Sequence, residues 1–175
     1  MAIAGIPEII NNFNMYLTGR KMSGGITGEI KLPDFESMTS TTSGTGILGE
    51  YDAIAIGHYA SMVQEIPFRC INEDYWKLVN PSVAVELMLR GSIQYSEQAT
   101  QNAKQMGMRV IYRGRCKKIV VGTVKQRGPM DSSISMELTY IKVEMDGKPR
   151  VELDKLNNVF KIGGVDMLAE VKRYT

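Results

Sequence analysis

The chain has 175 residues, 43% of them hydrophobic, with 21 basic and 19 acidic residues for a net charge of +2. That length suits one domain with a real core, and the balance of charge excludes nucleic-acid binding by bulk electrostatics. No run approaches the ~18 apolar residues of a membrane-spanning helix, and the start at Met1 lacks the basic opening and long apolar stretch of a signal peptide.

Taken in order, Glu8 to Asn14 fits a short helical turn or an extended arm. Phe13, Met15 and Leu17 alternate up to Thr18-Gly19 and predict a strand. Ser23-Gly24-Gly25 reads as a turn. Ile26, Gly28, Ile30 and Leu32 then predict a second strand, ended by Pro33, which has no N–H to donate. Phe35 to Gly49 has few large side chains and no charge between Glu36 and Glu50. Its Gly and Ser content favours a surface loop. Its threonines would suit a hairpin arm, which would need a partner to offset its ordering entropy.

Ile54 and Ile56 fall on one face of the next run, and Met62, Gln64 and Ile66 carry on to Pro67. Asn72 to Val79 is the best helix candidate. Asn72 can cap it, Glu73 and Asp74 suit its first turn, and Tyr75, Leu78 and Val79 share a side. Val83, Val85, Leu87 and Leu89 predict a strand buried on one face, and Tyr95 to Gln105 reads as a polar loop. Met108 to Cys116 alternates again, extended by Ile119, Val120 and Val121. Its other face carries Arg109, Arg113, Arg115 and Lys117, either solvated or paired with Glu86 and Glu137 on neighbouring strands. Val124 to Asp131 is a loop.

Ile134 to Leu156 is the stretch around which the chain is organised. Ile134, Met136, Leu138 and Tyr140 alternate with polar residues, but the apolar set then moves to Ile141, Val143 and Met145. That change of phase requires a bulge, or a strand whose second half buries its other face. Asp146-Gly147 predicts a two-residue hairpin turn, with Val151, Leu153 and Leu156 on the return strand. Val159, Phe160 and Ile162 suggest a last strand, broken by Gly163-Gly164, and Val165 to Arg173 looks helical. Eight or nine short strands with two short helices predict a mainly β, antiparallel, closed or sandwich-like fold.

The pattern points away from catalysis. His58 stands alone in a weak strand, and Gly44-x-Gly46-x-x-Gly49 follows no apolar strand and opens no helix, so it is not a dinucleotide motif. Cys70 and Cys116 lack metal spacing and read as buried, reduced thiols. Twelve methionines suit extensive packed contacts. No cofactor or metal is expected.

Several stretches resemble the major tail tube protein of contractile-tailed phages and R-type bacteriocins, the inner tube of contractile injection systems. They are Asn12 to Gly19, Lys31-Leu32-Pro33, Val110 to Lys117 with Arg113, Gly114 and Arg115, Ser133 to Ser135, Thr139-Tyr140, Asp146-Gly147, Glu152-x-Asp154, and Gly164-Val165-Asp166-x-Leu168. Two regions depart from the family pattern: the arm, rich in Thr and Ser where relatives carry charge, and Asn72 to Tyr95. The resemblance implies one domain over 1–175, two packed sheets in a barrel-like sandwich, a short flanking helix and a protruding hairpin arm over about 35–52. It thereby overturns the loop reading of that segment. It also implies rings of six subunits stacked helically into a hollow tube. That tube lies inside a sheath, pierces a target envelope and conducts DNA or ions. Phe35, Met38, Thr39, Thr41, Thr42, Thr45, Ile47, Leu48 and Tyr51 would then make inter-subunit contacts. The implied partners are copies of the chain, the tail sheath protein, baseplate and tail-terminator proteins, the tape measure protein, and DNA passing without specific binding. The implied place is a virion tail or bacteriocin particle assembled in the bacterial cytoplasm. The other reading left by the residues is a soluble, non-enzymatic β-barrel binding module with a flexible Thr/Ser loop.

Overall fold

The computed structural model describes residues 5–22 and 25–175. In chain order it forms β1 (Gly5–Leu17), β2 (Arg20–Lys21), β3 (Ser37–Ser43), β4 (Glu50–Tyr59), β5 (Val63–Phe68) and α1 (Glu73–Leu78). There follow β6 (Val85–Glu97), β7 (Ala103–Val120), β8 (Ser132–Met145), β9 (Lys148–Asp154), β10 (Val159–Ile162), β11 (Val165–Asp166) and α2 (Ala169–Tyr174). One large antiparallel sheet runs β11-β10-β9-β8-β7-β6-β1-β2, with β5 also on β8, and β3 and β4 form a separate two-stranded sheet. The fold is mainly β and sandwich-like rather than a closed barrel.

The change of phase at Tyr140 is a bulge. Arg113 pairs with Tyr140 and Gly114 with Leu138, so Thr139 is the extra residue on β8. Ile134, Met136 and Leu138 before it and Ile141 after it are thereby all buried. The bulge also divides the strand's far edge, whose first half pairs with β5 and second half with β9. At the division Leu138 N donates to Met62 O and Lys155 N to Thr139 O. The sheet therefore coils, and its core gathers between the halves: Leu87, Leu89, Val110 and Tyr112 on one side, Ile66, Phe68 and Ile134 on the other.

Gly114 is required at this place. A Cβ there would collide with the carbonyl oxygen of Glu137. Asp146 and Gly147, at φ 51° and 73°, make the expected primed turn. Asn72 caps α1 by accepting from Tyr75 N at 2.9 Å, and Tyr75 and Leu78 are buried beneath it.

Other expectations are corrected. Of the two readings of Glu8 to Asn14, the helical turn is wrong and the extended one holds, as part of β1 paired with β6 through two register shifts rather than a separate arm. The loop read at Tyr95 to Gln105 holds only for 98–102, the turn of a long β6–β7 hairpin; Tyr95 to Glu97 and Ala103 to Gln105 are strand, paired across the hairpin and, for Tyr95 to Glu97, with β1 as well. Ile26 to Leu32 forms no strand: the segment makes one bridge, Ile26 to Phe68, and Gln64 takes the carbonyl of Lys31. The turn expected at Ser23-Gly24 lies outside the described residues. Val83 and Leu156 are exposed and lie outside the strands given to them. The last helix starts at Ala169, since Val165-Asp166 first pairs with β10. Cys70 is exposed and Cys116 half-buried, so neither is a fully buried thiol, though both are free.

Gly114→Ala should destabilise the chain by ~1–3 kcal/mol through overpacking, read as a lower urea midpoint. Gly107→Ala, where a Cβ meets nothing, should stay within ~0.5 kcal/mol of the parent. Equal midpoints for both would remove the close approach from the account of the bulge.

Candidate assembly surfaces

Among the described residues no cluster of His, Cys, Asp or Glu could hold a metal ion. His58 is exposed on β4, and Gly44, Gly46 and Gly49 shape the tip of the β3–β4 hairpin. The surfaces that stand out are instead strand margins and apolar projections.

The first is the arm. Three of its threonines lie on β3 and pair with β4: Thr39 with Ile54, Thr41 with Asp52, Thr42 with Tyr51. Thr41 Oγ1 also donates to Asp52 at 2.8 Å. At the root, Phe35 meets Tyr59 edge-on at 6.0 Å and Tyr59 meets Phe160 at 5.3 Å, which ties the ribbon to the core. Leu168 packs over Gly57, where φ is +80° and a Cβ would clash. Away from the root the arm is bare. Met38, Tyr51, Ile54 and Ile56 are more than half exposed, Leu48 is fully exposed, and Thr45 and Ile47 sit beside it in the tip. The strands run from Ser37 to Tyr59, farther down the second strand than the 35–52 expected.

The second surface was missed from sequence. β1, β6 and the first part of β7 form a three-stranded ribbon that continues past the end of β8, which stops opposite Met108. Among the described residues both margins of this ribbon are open: β2 covers only Tyr16 and Leu17 of β1, and Ala103 to Met106 of β7 have no partner strand beyond β6. The available signal was weak: Ile93 and Tyr95, and Met106 and Met108, do keep a strict two-residue spacing.

The outward face of the large sheet is mostly polar in its middle strands, interrupted by Met88 and Ile111, which pair in register. On the ribbon, Ser96 Oγ and Gln94 Nε2 donate to Glu8, and Ser92 Oγ donates to Gln105. Those two donors hold the Glu8 carboxyl below its ordinary value, Ser96 foremost. Ile6 and Ile9, in register with Ser96 and Gln94, are the apolar residues at its rim. Below the ribbon the face is charged, and most of its cations are matched, Arg90 and Arg115 having no ion-pair partner among the described residues. Arg109 and Lys142 both pair with Glu144, Arg113 with Glu86 at 2.8 Å and Lys117 with Glu137 at 2.8 Å. Burial pushes the Glu144 carboxyl up, but hydrogen bonds from Lys142 and Arg109 outweigh it and leave it below its ordinary 4.5. The cationic face read from sequence is thus largely a paired one, and Arg115 stands opposite Glu137 in register.

The remaining motif residues are structural. Arg113 lies 5.1 Å over the Tyr140 ring, and Tyr140 donates to Glu152 at 3.0 Å. Burial first, and then that bond, pushes the phenol up to about 12. Asp154 caps the turn after β9, accepting from Leu156 N and Asn157 N at 3.1 Å. Gly164, at φ 89°, turns the chain into β11, where Val165 is exposed and Asp166 accepts from Leu168 N and Lys172 Nζ. Arg113, Tyr140 and Asp154 lie side by side across three strands, whereas Gly147 and Gly164 sit in separate turns.

Two comparisons bear on what such surfaces serve. The chain is 26% identical over 169 residues to the tail tube protein of Escherichia phage P2, covering 96% of each. Residues 7–174 match the model of the phage tail tube protein FII family. A match over nearly the whole chain places this protein in that family, as a structural tail tube protein of a bacteriophage.

Proposed function

We propose that copies of this chain form rings of six that stack with a helical offset into a hollow tube within a contractile tail. The single observation that carries the reading is the pair of open margins on opposite sides of one ribbon, β1 on one and β7 on the other. A sheet unpaired at both sides is an aggregation hazard in a monomer. Joined head to tail, such margins can close a ring and leave no edge. The arm, with Phe35, Met38, Thr39, Thr41, Thr42, Thr45, Ile47, Leu48 and Tyr51, supplies the contacts between subunits, and the whole chain acts as one domain with this projection. Each subunit then buries more than ~2,000 Å², as obligate assemblies do.

The outward face of the large sheet lines the channel in this reading. Mostly paired charges, with uncharged amides and hydroxyls farther out, offer a phosphate backbone few places to hold, so a polyanion slides rather than binds. The sheath encloses the tube, which pierces the target envelope and conducts DNA or ions. Baseplate, tail-terminator and tape measure proteins meet its ends and lumen during assembly in the bacterial cytoplasm.

Electron microscopy of the purified chain should show rings or uniform tubes, and deletion of residues 38–58 should leave a folded monomer by light scattering. Tubes formed without the arm would sink its role. Ser92→Lys with Gln105→Lys should still assemble, but its open tubes should retain duplex oligonucleotide. That retention should weaken with salt by a slope of ~0.9 for each phosphate neutralised. Glu144→Gln should cost ~1–3 kcal/mol at neutral pH by leaving Arg109 and Lys142 without their carboxylate. Because the folded value of Glu144 lies below the unfolded one, its contribution is complete above pH 4.5 and fades as pH falls through the folded value. The variant should therefore lose less stability than the parent on acidification, and parallel acid titrations would refute this.

A further inference from the structure

The ribbon has an apolar side as well. Opposite its polar face, Ile10 pairs in register with Ile93, Ile93 with Met106, and Gly91 with Met108, forming a stripe that runs out from the core. Between this stripe and residues 28–32 lies a largely apolar groove of about 240 Å³, walled by Ile10, Phe13, Ile30, Leu32, Leu89 and Met108, with Gly28 and the carboxylate residue Glu29 also in its lining. Ile10 stays half-exposed at its lip. Phe13 and Gly28 also wall an adjoining hollow, where Lys21 stands. Among the described residues Lys21 has no ion-pair partner.

The arm presents the complement. Leu48 and Ile47 form a narrow knob between Gly46 and Gly49, whose φ of 90° and 101° suit a tip without bulk on either side. The chain from Leu32 to Phe68 carries no Lys or Arg, while Glu36, Glu50 and Asp52 make the arm acidic. The seven residues of β3 carry the tip ~24 Å from its root at strand spacing. Since Leu48 is fully exposed, knob and groove of one chain do not meet.

We propose that Ile47 and Leu48 of one subunit's arm seat in this groove of a second copy, with Glu50 against Lys21. The proposal rests on the tube reading and names the seat within it. A second copy is the occupant because knob and groove are both apolar and Glu50 beside the knob is opposite in charge to Lys21 beside the groove. Each chain carries one of each, which is what head-to-tail repetition needs.

The test is cross-linking of assembled tubes carrying Leu48→Cys and Ile10→Cys in a Cys70→Ser, Cys116→Ala background. Oxidation should link copies into a ladder of covalent multimers, and Leu48→Cys with Val165→Cys should give none. Leu48→Asp and Glu50→Lys change exposed side chains, so both variants should fold as judged by circular dichroism. Each should lower tube yield by roughly tenfold or more, in line with the burial of one leucine side chain. Adding Lys21→Glu should recover the yield of Glu50→Lys. Tubes that assemble but do not cross-link at position 10, or that tolerate Leu48→Asp, overturn the seat and leave the tube reading standing. Failure of the charge swap to recover assembly removes the Lys21 contact. A parent chain that forms neither rings nor tubes overturns the tube reading and the seat together.

Discussion

The architecture depends on one extra residue. Thr139 shifts the phase of β8 so that Ile134, Met136 and Leu138 on one half and Ile141 on the other all face the core. Without that shift a strand of this length would bury one half and strand the other half's apolar side chains in water, since strand side chains alternate strictly. The shift is possible because Gly114, directly opposite, leaves room for the Glu137 carbonyl. It also splits the strand's far edge between β5 and β9, which turns a flat sheet into a coiled one with an interior.

Everything beyond that interior is built with fewer internal contacts. The arm pairs only with itself and is tied at its root by the Phe35, Tyr59 and Phe160 rings. The ribbon of β1, β6 and β7 outruns the strand that covers it. Both leave apolar side chains in water, among them Ile10, Leu48, Ile54 and Ile56. Each such side chain represents ~1.5–3 kcal/mol of burial not realised in the single subunit. The core thus carries projections that keep apolar surface in water in the single chain.

The charge pattern follows the same division. The cations of β7 stand opposite carboxylates on β6 and β8, so the sheet face carries many charges and little net field. Farther out the charges give way to amides and hydroxyls that bond one another around Glu8. Such a face stays hydrated and pairs most of its cations, Arg90 and Arg115 having no ion-pair partner among the described residues, an arrangement that composition could not reveal because +2 overall describes many different ones.

Local pattern was enough to determine the β class, the Asp146-Gly147 turn, the Asn72 cap and the need for a change of phase near Tyr140, since each is written in side chains within a few residues. Resemblance across the chain then turned a Thr/Ser loop into a hairpin, which composition alone had not. Only the tertiary structure decided that Tyr95 to Glu97 and Ala103 to Gln105 are strand, that Ile26 to Leu32 are not, and which residue forms the bulge. In the first case the β6–β7 hairpin and β1 supply the pairing; in the second a glutamine side chain and one bridge take the place of a ladder. These are choices of backbone partners distant in the chain, and a backbone hydrogen bond leaves no mark in the side chain of the residue that makes it.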